Sequence, residues 1–405
     1  MGDTQALDGI KVLDFGQHIA GPTPSRHLAN HGAQVVRIES VTHTDMTRTV
    51  RVSPSPLTDP DLSPLFTQYN TSKYSMMLNL KHPRAYGVIE RLIRWADVVV
   101  DNFTPGTMDR LGLGYERLRG IKPDIIMLSI SGFGQTGPWR LEGAVDGIIN
   151  AVSGRHDLTG WPDRGPTSPS VHPYPDVVVP LFTALAIVAA LDYRRRTGKG
   201  QYIEAAMLEV CVHQITPALL EWQINKHLPS RNGNRVPYAA PHGVFRCKGD
   251  DRWCAIAVFT DDEWKMVCQV LGNPPWTKDP RFATLQSRKD NEDELERLIA
   301  EWTEKHSAEE VMQMMQAAGV AAGVVQDARD ILNDPQLKER GFPLPLKHPV
   351  LGVFSHPTPG YSLSKTKAKI RTSPCFGEHT EYVYCQIIGG SDEEFVELVQ
   401  QGVLE

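Results

Sequence analysis

At 405 residues, 41% of them hydrophobic, the chain is long enough for two domains. Its formal net charge of −6 supplies no bulk basic field of the kind that nucleic acid binding needs. Six scattered cysteines without a Cys-x-x-Cys pair, no apolar run of about 18 uncharged residues and no secretory leader at the start predict a cytoplasmic protein with reduced thiols, no membrane span and no zinc site.

Residues 10–15 read as a buried strand, 16–22 as a turn, 23–30 as a helix closed by Gly32, and 34–39 as the next strand. A helix between two strands implies parallel pairing. The layout is that of a dinucleotide-binding half. The Gly-x-Gly-x-x-Gly fingerprint is missing, so a phosphate cradle of that type is not expected. Residues 41–71 are polar, Pro-rich and aperiodic, too long for an ordinary connection. Strands follow at 74–80, 96–103 and 124–130, separated by helices from 82 to 95 and from 105 to 111. The alternation predicts α/β architecture with a mostly parallel sheet, whose ligands bind beyond the carboxyl ends of the strands. Those ends carry Gln17 and His18, Glu39 and Ser40, Asn102 and Phe103, and Ser131, Gly132, Phe133 and Gly134.

Residues 177–191 form an Ala-rich apolar run that reads as a buried helix, ending in Arg194, Arg195 and Arg196 and capped by Gly198 or Gly200. A strand at 201–206 and one long helix from 208 to 226 come next. The character then changes. A hairpin turns at Lys248-Gly249-Asp250-Asp251 between strands at 242–247 and 252–258. Helices at 261–271, 290–305 and 307–318 and a strand at 320–325 complete an α+β pattern. A small α+β domain is therefore expected at 227–325, and a large Rossmann-like domain at 1–226 and 326–405, ending in a polar helix at 392–401.

Asp176 stands at the mouth of the Ala-rich helix, after His172-Pro173-Tyr174-Pro175. One reading is an N-cap whose carboxylate accepts the free N–H groups of the first turn. The other is a carboxylate nucleophile held at a helix start. The loop of Gly132, Phe133 and Gly134 is either a plain turn or a bare backbone that approaches a ligand closely. Arg37, Lys73, Lys81, Arg84 and Arg110 lie near the ligand edge, as solvated surface charges or as partners for a nucleotide's phosphates. His18 has no second histidine at ligand spacing, so no metal is expected. No Gly-x-Ser-x-Gly elbow marks a hydrolase.

Several segments, in order along nearly the whole chain, resemble the class III (family III, CaiB/BaiF-type) CoA-transferases. They are Leu13-Asp14-Phe15 with Ala20-Gly21-Pro22, Asp101-Asn102-Phe103-Thr104-Pro105-Gly106 with Arg110-Leu111-Gly112, Ser131-Gly132-Phe133-Gly134-Gln135-Thr136-Gly137-Pro138, Asp176 with Arg196-Thr197-Gly198-Lys199-Gly200-Gln201, and Gly377-Glu378-His379-Thr380. The resemblance implies a Rossmann-like large domain built from both chain ends, a smaller inserted domain and an interlocked dimer. It implies coenzyme A, as acyl-CoA substrate and product, and a carboxylate acceptor. It makes Asp176 the nucleophile, passing through an aspartyl anhydride and an aspartyl-CoA thioester. It places CoA near Gln17, Arg37, Lys81, Asn102, Phe103, Arg110, Gly132, Phe133 and Gly134.

The pattern also departs from the family. Gln17 takes a position that is often His, Ile19 replaces a catalytic Gln of the formyl-CoA enzyme, and Ser40 stands where an Arg often binds the CoA phosphates, leaving Arg37 to compensate. Pro180 replaces a Gly, and Tyr238 to Gly243 occupy the region of a missing Gly-rich loop. These changes argue against oxalate as acceptor. Leu158-Thr159-Gly160-Trp161-Pro162 and the Pro-rich approach to Asp176 resemble the branch that acts on aryl- or alkyl-succinates with succinyl-CoA, which can use paired, non-identical subunits; a homodimer or a heterodimer with a paralogous subunit is expected here. Two alternatives share the fold: an α-methylacyl-CoA racemase, whose His base would fall on Val145, and a non-catalytic subunit of a hetero-oligomeric transferase.

Overall fold

The computed structural model describes residues 4–50, 59–168 and 173–405. His172 and part of the 41–71 segment lie outside the described residues. The chain divides into two compact units, Met1–His156 with Ser168–Pro229 and Gly341–Glu405, and Asp157–Thr167 with Ser230–Arg340.

The first unit is built on six parallel strands: β1 (Lys11–Asp14), β2 (Gln34–Glu39), β3 (Tyr74–Met77), β4 (Val98–Asp101), β5 (Ile126–Ser131) and β6 (Tyr202–Ala206). Their order, β3-β2-β1-β4-β5-β6, is the doubly wound Rossmann order. Side chains alternate between faces, and both faces of β1 to β5 are covered, so these strands are buried almost throughout, while the edge strand β6 exposes Tyr202 and Glu204. Leu13, Val36, Met76 and Val99 enter one core; Val12, Val35, Val98 and Val100 enter the other. Helix α1 (Pro22–Ala29) follows β1, and α2 (Pro64–Tyr69) lies within the long segment before β3. Helix α3 (Ala85–Trp95) packs on the first core through Ile89 and Leu92.

After β5 come α4 (Asp146–Val152) and the 24-residue α5 (Tyr174–Thr197), closed by left-handed Gly198. Among the described residues α5 is the one helix long and apolar enough, by length and composition, to cross a membrane. Its Val179, Ile187 and Ala190 are fully buried in the second core. The single helix expected from 208 to 226 is two: α6 (Met207–His213) and α7 (Thr216–Asn225). Pro217 has no N–H to continue the ladder, and the Thr216 hydroxyl donates to the His213 carbonyl instead, at 2.8 Å.

The second unit holds the expected hairpin, β7 (His242–Arg246) and β8 (Trp253–Ala257), with helices α8 (Asp261–Val270), α9 (Glu292–Thr303) and α10 (Ala308–Ala317). Its third strand, β9 (Ala321–Val324), pairs antiparallel with β8. The chain rejoins the first unit at Gly341 rather than at 326, because residues 328–339 stay with the second unit. Arg252, beside β8, pairs there with Asp330 at 2.6 Å. Residues 157–167 also belong to this unit; Arg231 donates to Asp157.

The returning segment of the first unit forms the hairpin β10 (Leu344–His348) and β11 (Gly352–His356) and ends in α11 (Asp392–Gln400). Val383, Tyr384, Leu398, Val403 and Leu404 complete the core beside α3. All six cysteines are free thiols. No group of acids, histidines and cysteines fit to hold a metal occurs among the described residues.

Candidate active site

In this strand order the chain reverses direction between β1 and β4, which opens a crevice beyond their carboxyl ends. The two loops at that crevice are tied by Asn102. Its Oδ1 accepts the Gln17 N–H at 2.8 Å, and its Nδ2 donates to the Gln17 carbonyl at 2.9 Å. The turn between them has no room for side chains. A Cβ on Gly21 would lie 2.4 Å from Asn102 Oδ1, and one on Gly16 would lie 2.4 Å from the Gly21 carbonyl carbon. Gln17 and Asn102 are thus brought together, with the Asn102 amide engaged in holding the loop.

Arg37 does not face a ligand. It is 1% exposed, donates to the Gly16 carbonyl at 2.6 Å and pairs with Asp45. It belongs to a buried charge network that also contains Lys73 on Asp14 at 2.8 Å and Arg48 on Glu39 at 2.8 Å. The expectation that Arg37 replaces a phosphate-binding arginine at Ser40 is corrected on this ground: the side chain is buried with both terminal nitrogens held by internal acceptors, and Ser40 itself donates to Glu405 at 2.6 Å. Of the other basic residues, Arg84 pairs with Glu397.

A cavity of about 850 Å³ opens after β4 and β5, lined by Phe103, Gly106, Arg110, Arg117, Arg140 and Tyr202 among others. Arg110 is exposed there and reaches Thr107 Oγ1 at 2.7 Å. At its floor Asp101 accepts from Ser129 Oγ at 2.6 Å, and burial pushes its carboxyl up to about 6. Lys81 lines a separate cavity of about 220 Å³ with Leu111 and Leu113. The Gly-rich loop contributes Gln135 and not Gly132, Phe133 or Gly134 to the large cavity. Gly132 is required by close packing, since its Cβ would lie 2.0 Å from that of Ala144; Gly134 is left-handed, with φ at +94°. Phe133 sets its ring edge-on to Trp139. The Gln135 N–H is taken by Glu204, so it does not point into free space.

Asp176 is not the cap of α5. Pro173 precedes the helix, Pro175 lies in its first turn, and Asp176 follows it there without a side-chain capping bond. Among the described residues no hydrogen bond or ion pair reaches its carboxylate. Burial, and after it the charge of Asp146, push Asp176 up to about 7. Asp146 opens α4, accepts from Asn150 Nδ2 at 2.7 Å and is steadied by the Tyr174 amide. Burial raises Asp146 as well, but Asn150 and the Tyr174 amide oppose that rise, whereas nothing among the described residues opposes it at Asp176. The Arg155 guanidinium stacks on the Tyr174 ring at 3.4 Å. Val145, where a racemase base would stand, is 69% exposed. Asp146 was not singled out from sequence, although its spacing from Asn150, one helical turn, is a signal for a braced carboxylate.

The family model for CoA-transferase family III matches residues 7–380. The chain belongs to CoA-transferase family III. This transferase is 32% identical over 402 residues to the succinyl-CoA–D-citramalate CoA-transferase of Chloroflexus aurantiacus, covering 98% of each chain. It is 29% identical over 406 residues to the human succinyl-CoA:glutarate CoA-transferase, covering all of this chain and 91% of that one. Its fold matches the crystal structure of a CaiB/BaiF family protein from Brucella suis with a TM-score of 0.86, at 29% identity and over 95% of this chain and 100% of that one. The family III transferase is thus an enzyme that uses CoA thioesters as substrates.

Proposed function

We propose that this transferase moves CoA from an acyl-CoA donor to an organic carboxylate through covalent chemistry on Asp176. The observation that carries this reading is a desolvated carboxylate in the first turn of α5, without a hydrogen-bond partner among the described residues and held near neutrality by burial and by Asp146. A helix N-terminus favours an anion, and burial disfavours it. Here burial prevails, which makes Asp176 a stronger base and a stronger nucleophile than an ordinary aspartate.

In the proposed sequence the Asp176 carboxylate attacks the donor's thioester carbon and expels CoA thiolate, leaving a mixed anhydride. The thiolate attacks the Asp176 carbonyl and releases the donor's acid, leaving an aspartyl-CoA thioester. The acceptor carboxylate attacks that thioester, expels the thiolate again and forms a second anhydride. Thiolate attack on the acceptor's acyl carbon yields the new thioester and frees Asp176. Each step exchanges one activated acyl bond for another, so no outside energy source is needed. Arg110, Phe103 and the cavity around them are the CoA contacts in this reading.

Succinyl-CoA is the proposed donor, supported by relatives named for it. Aryl- or alkyl-succinates remain one acceptor class of the proposal, as does pairing into a homodimer or with a paralogous subunit. Pairing is supported by the apolar outer face of α5, where Leu181, Leu185 and Val188 are exposed, and by exposed Trp222 and Ile224 of α7. The test is incubation with a panel of acyl-CoA donors in hydroxylamine, followed by peptide mass spectrometry. A hydroxamate on Asp176 supports the reading; modification elsewhere, or none with any donor, overturns it.

A further inference from the structure

A second cavity, of about 600 Å³, lies between α1, α2 and α5, on the helix that carries Asp176. Helix α1 turns Arg26 and His27 toward it, α2 turns Gln68 and Tyr69, and α5 turns Tyr174 and Val177. Among the described residues no acidic side chain lines it. Arg26 donates through Nη1 to the Gln68 carbonyl at 2.9 Å, and Nη2 lies 3.2 Å from His27 Nε2. Burial, then the neighbouring Arg26 charge, pull His27 down to about 3, so it is a neutral acceptor. Arg26 Nε is buried and donates to nothing among the described residues. No carboxylate lies within ion-pair distance of this guanidinium among the described residues. A desolvated cation without a counter-ion is unfavourable, and a bound anion relieves it. The Arg26 guanidinium lies 5.9 Å from the centre of the Tyr69 ring. Burial raises the Tyr69 phenol, and the charges of Arg26 and Asp176 both act on it, so both lie within electrostatic reach of its ring.

We propose that this cavity holds the far carboxylate of a dicarboxylic substrate, with Arg26 as its partner, while the near carboxyl meets Asp176. The inference rests on Asp176 being the reacting group. A monocarboxylate fills the same space without an anion for Arg26, so the cavity selects for a second charge. The guanidinium has N–H donors to spare for a forked contact, which an ammonium cannot copy. The apolar side chains of Leu65 and Val177 suit the methylene chain between the two carboxylates.

The test compares glutarate with pentanoate, of equal length and differing by one carboxylate. In turnover with succinyl-CoA, kcat/KM should favour glutarate, and Arg26→Gln should reduce that preference roughly 10- to 100-fold, mainly through KM. Arg26→Lys, which keeps the charge and loses the fork, should fall between. Calorimetry on the full-length Asp176→Asn protein with free CoA present gives a readout without chemistry: glutarate should bind more tightly than pentanoate, and adding Arg26→Gln should remove the difference. An unchanged preference in both Arg26 variants, or equal binding of the two acids to Asp176→Asn, overturns the inference. Failure of hydroxamate trapping on Asp176 strikes the catalytic reading instead, and the calorimetric comparison still judges Arg26.

Discussion

Asp146 and Asp176 are like charges on neighbouring helices, and the first adds to the cost that burial imposes on ionising the second. Asp146 is braced by Asn150 and the Tyr174 amide, whereas Asp176 has no such support. With Asp176 held at about 7, transfer should rise with pH through neutrality and level off above it. Asp146→Asn removes one of the two causes and keeps a partner for Asn150. It should move the rising limb of kcat/KM toward lower pH. A limb that stays in place, or moves up, contradicts the coupling.

Replacing Asp176 by Asn should abolish transfer, because an amide forms no anhydride. The same change should stabilise the fold in a pH-dependent way. A carboxyl whose folded value is raised above its unfolded value, about 4, stabilises fully below that value and loses the contribution as pH climbs toward 7. Asn mimics the neutral acid at every pH. Melting temperatures of the two proteins should therefore agree near pH 4 and diverge by pH 8, with Asn the more stable. Equal melting at both pH values would refute the desolvated placement of Asp176, and full activity in the Asn protein would refute its nucleophilic role.

Arg110 and Arg37 should behave in opposite ways. Arg110→Ala removes an exposed cation from the large cavity and should weaken CoA binding by roughly 1–3 kcal/mol, equally for free CoA and acyl-CoA, with little change in melting. Arg37→Ala leaves the Gly16 carbonyl without its donor and Asp45 without its buried counter-charge, and should cost about 3–5 kcal/mol of stability. Denaturant melts and CoA calorimetry on both variants check the pair. A stable Arg37→Ala protein with selectively weakened CoA binding would restore Arg37 to the ligand.

Asn102→Ala strips two hydrogen bonds from the backbone of Gln17 and should lower stability by about 1–3 kcal/mol, through an unpaired N–H and carbonyl at the crevice. Gly21→Ala should be worse, because the added methyl meets the Asn102 side chain. In the double variant Asn102→Ala, Gly21→Ala the clash with the Asn102 amide is gone and only that with the Gln17 nitrogen, at 2.7 Å, remains, so the combined loss should be smaller than the sum. Strict additivity in urea melts would show that the turn is crowded by something else.

The parallel sheet was legible because apolar strands alternate with helical text, and residues 34–39 matched β2 to the residue. The strand order was not, since sequence spacing carries no record of which strand lies beside which. Arg37 looked like a ligand-edge cation because it follows Val35 and Val36 in an exposed-reading strand end. Its partner Asp45 sits in an aperiodic segment, where no spacing rule announces an ion pair. One of the two readings of Asp176 was a cap, because Asp favours that place. The turn set by Pro173 and Pro175 begins the helix earlier, and the residue becomes a member of the first turn. Arg26 and His27 were read as ordinary helix text; the missing counter-ion that marks Arg26 is a three-dimensional fact.

The core beside α3 is closed by side chains from Val383 to Leu404, which the ribosome delivers after the whole stretch from Ser230 to Arg340. At about 5–20 residues per second, that stretch separates the two halves of the core by on the order of ten seconds of synthesis. During that interval Ile89 and Leu92 have no native cover from the later segment. Nascent chains of this protein should therefore bind a hydrophobic-surface chaperone through the α3 region until translation nears its end, and a ribosome stalled between the two segments should hold them in that bound state.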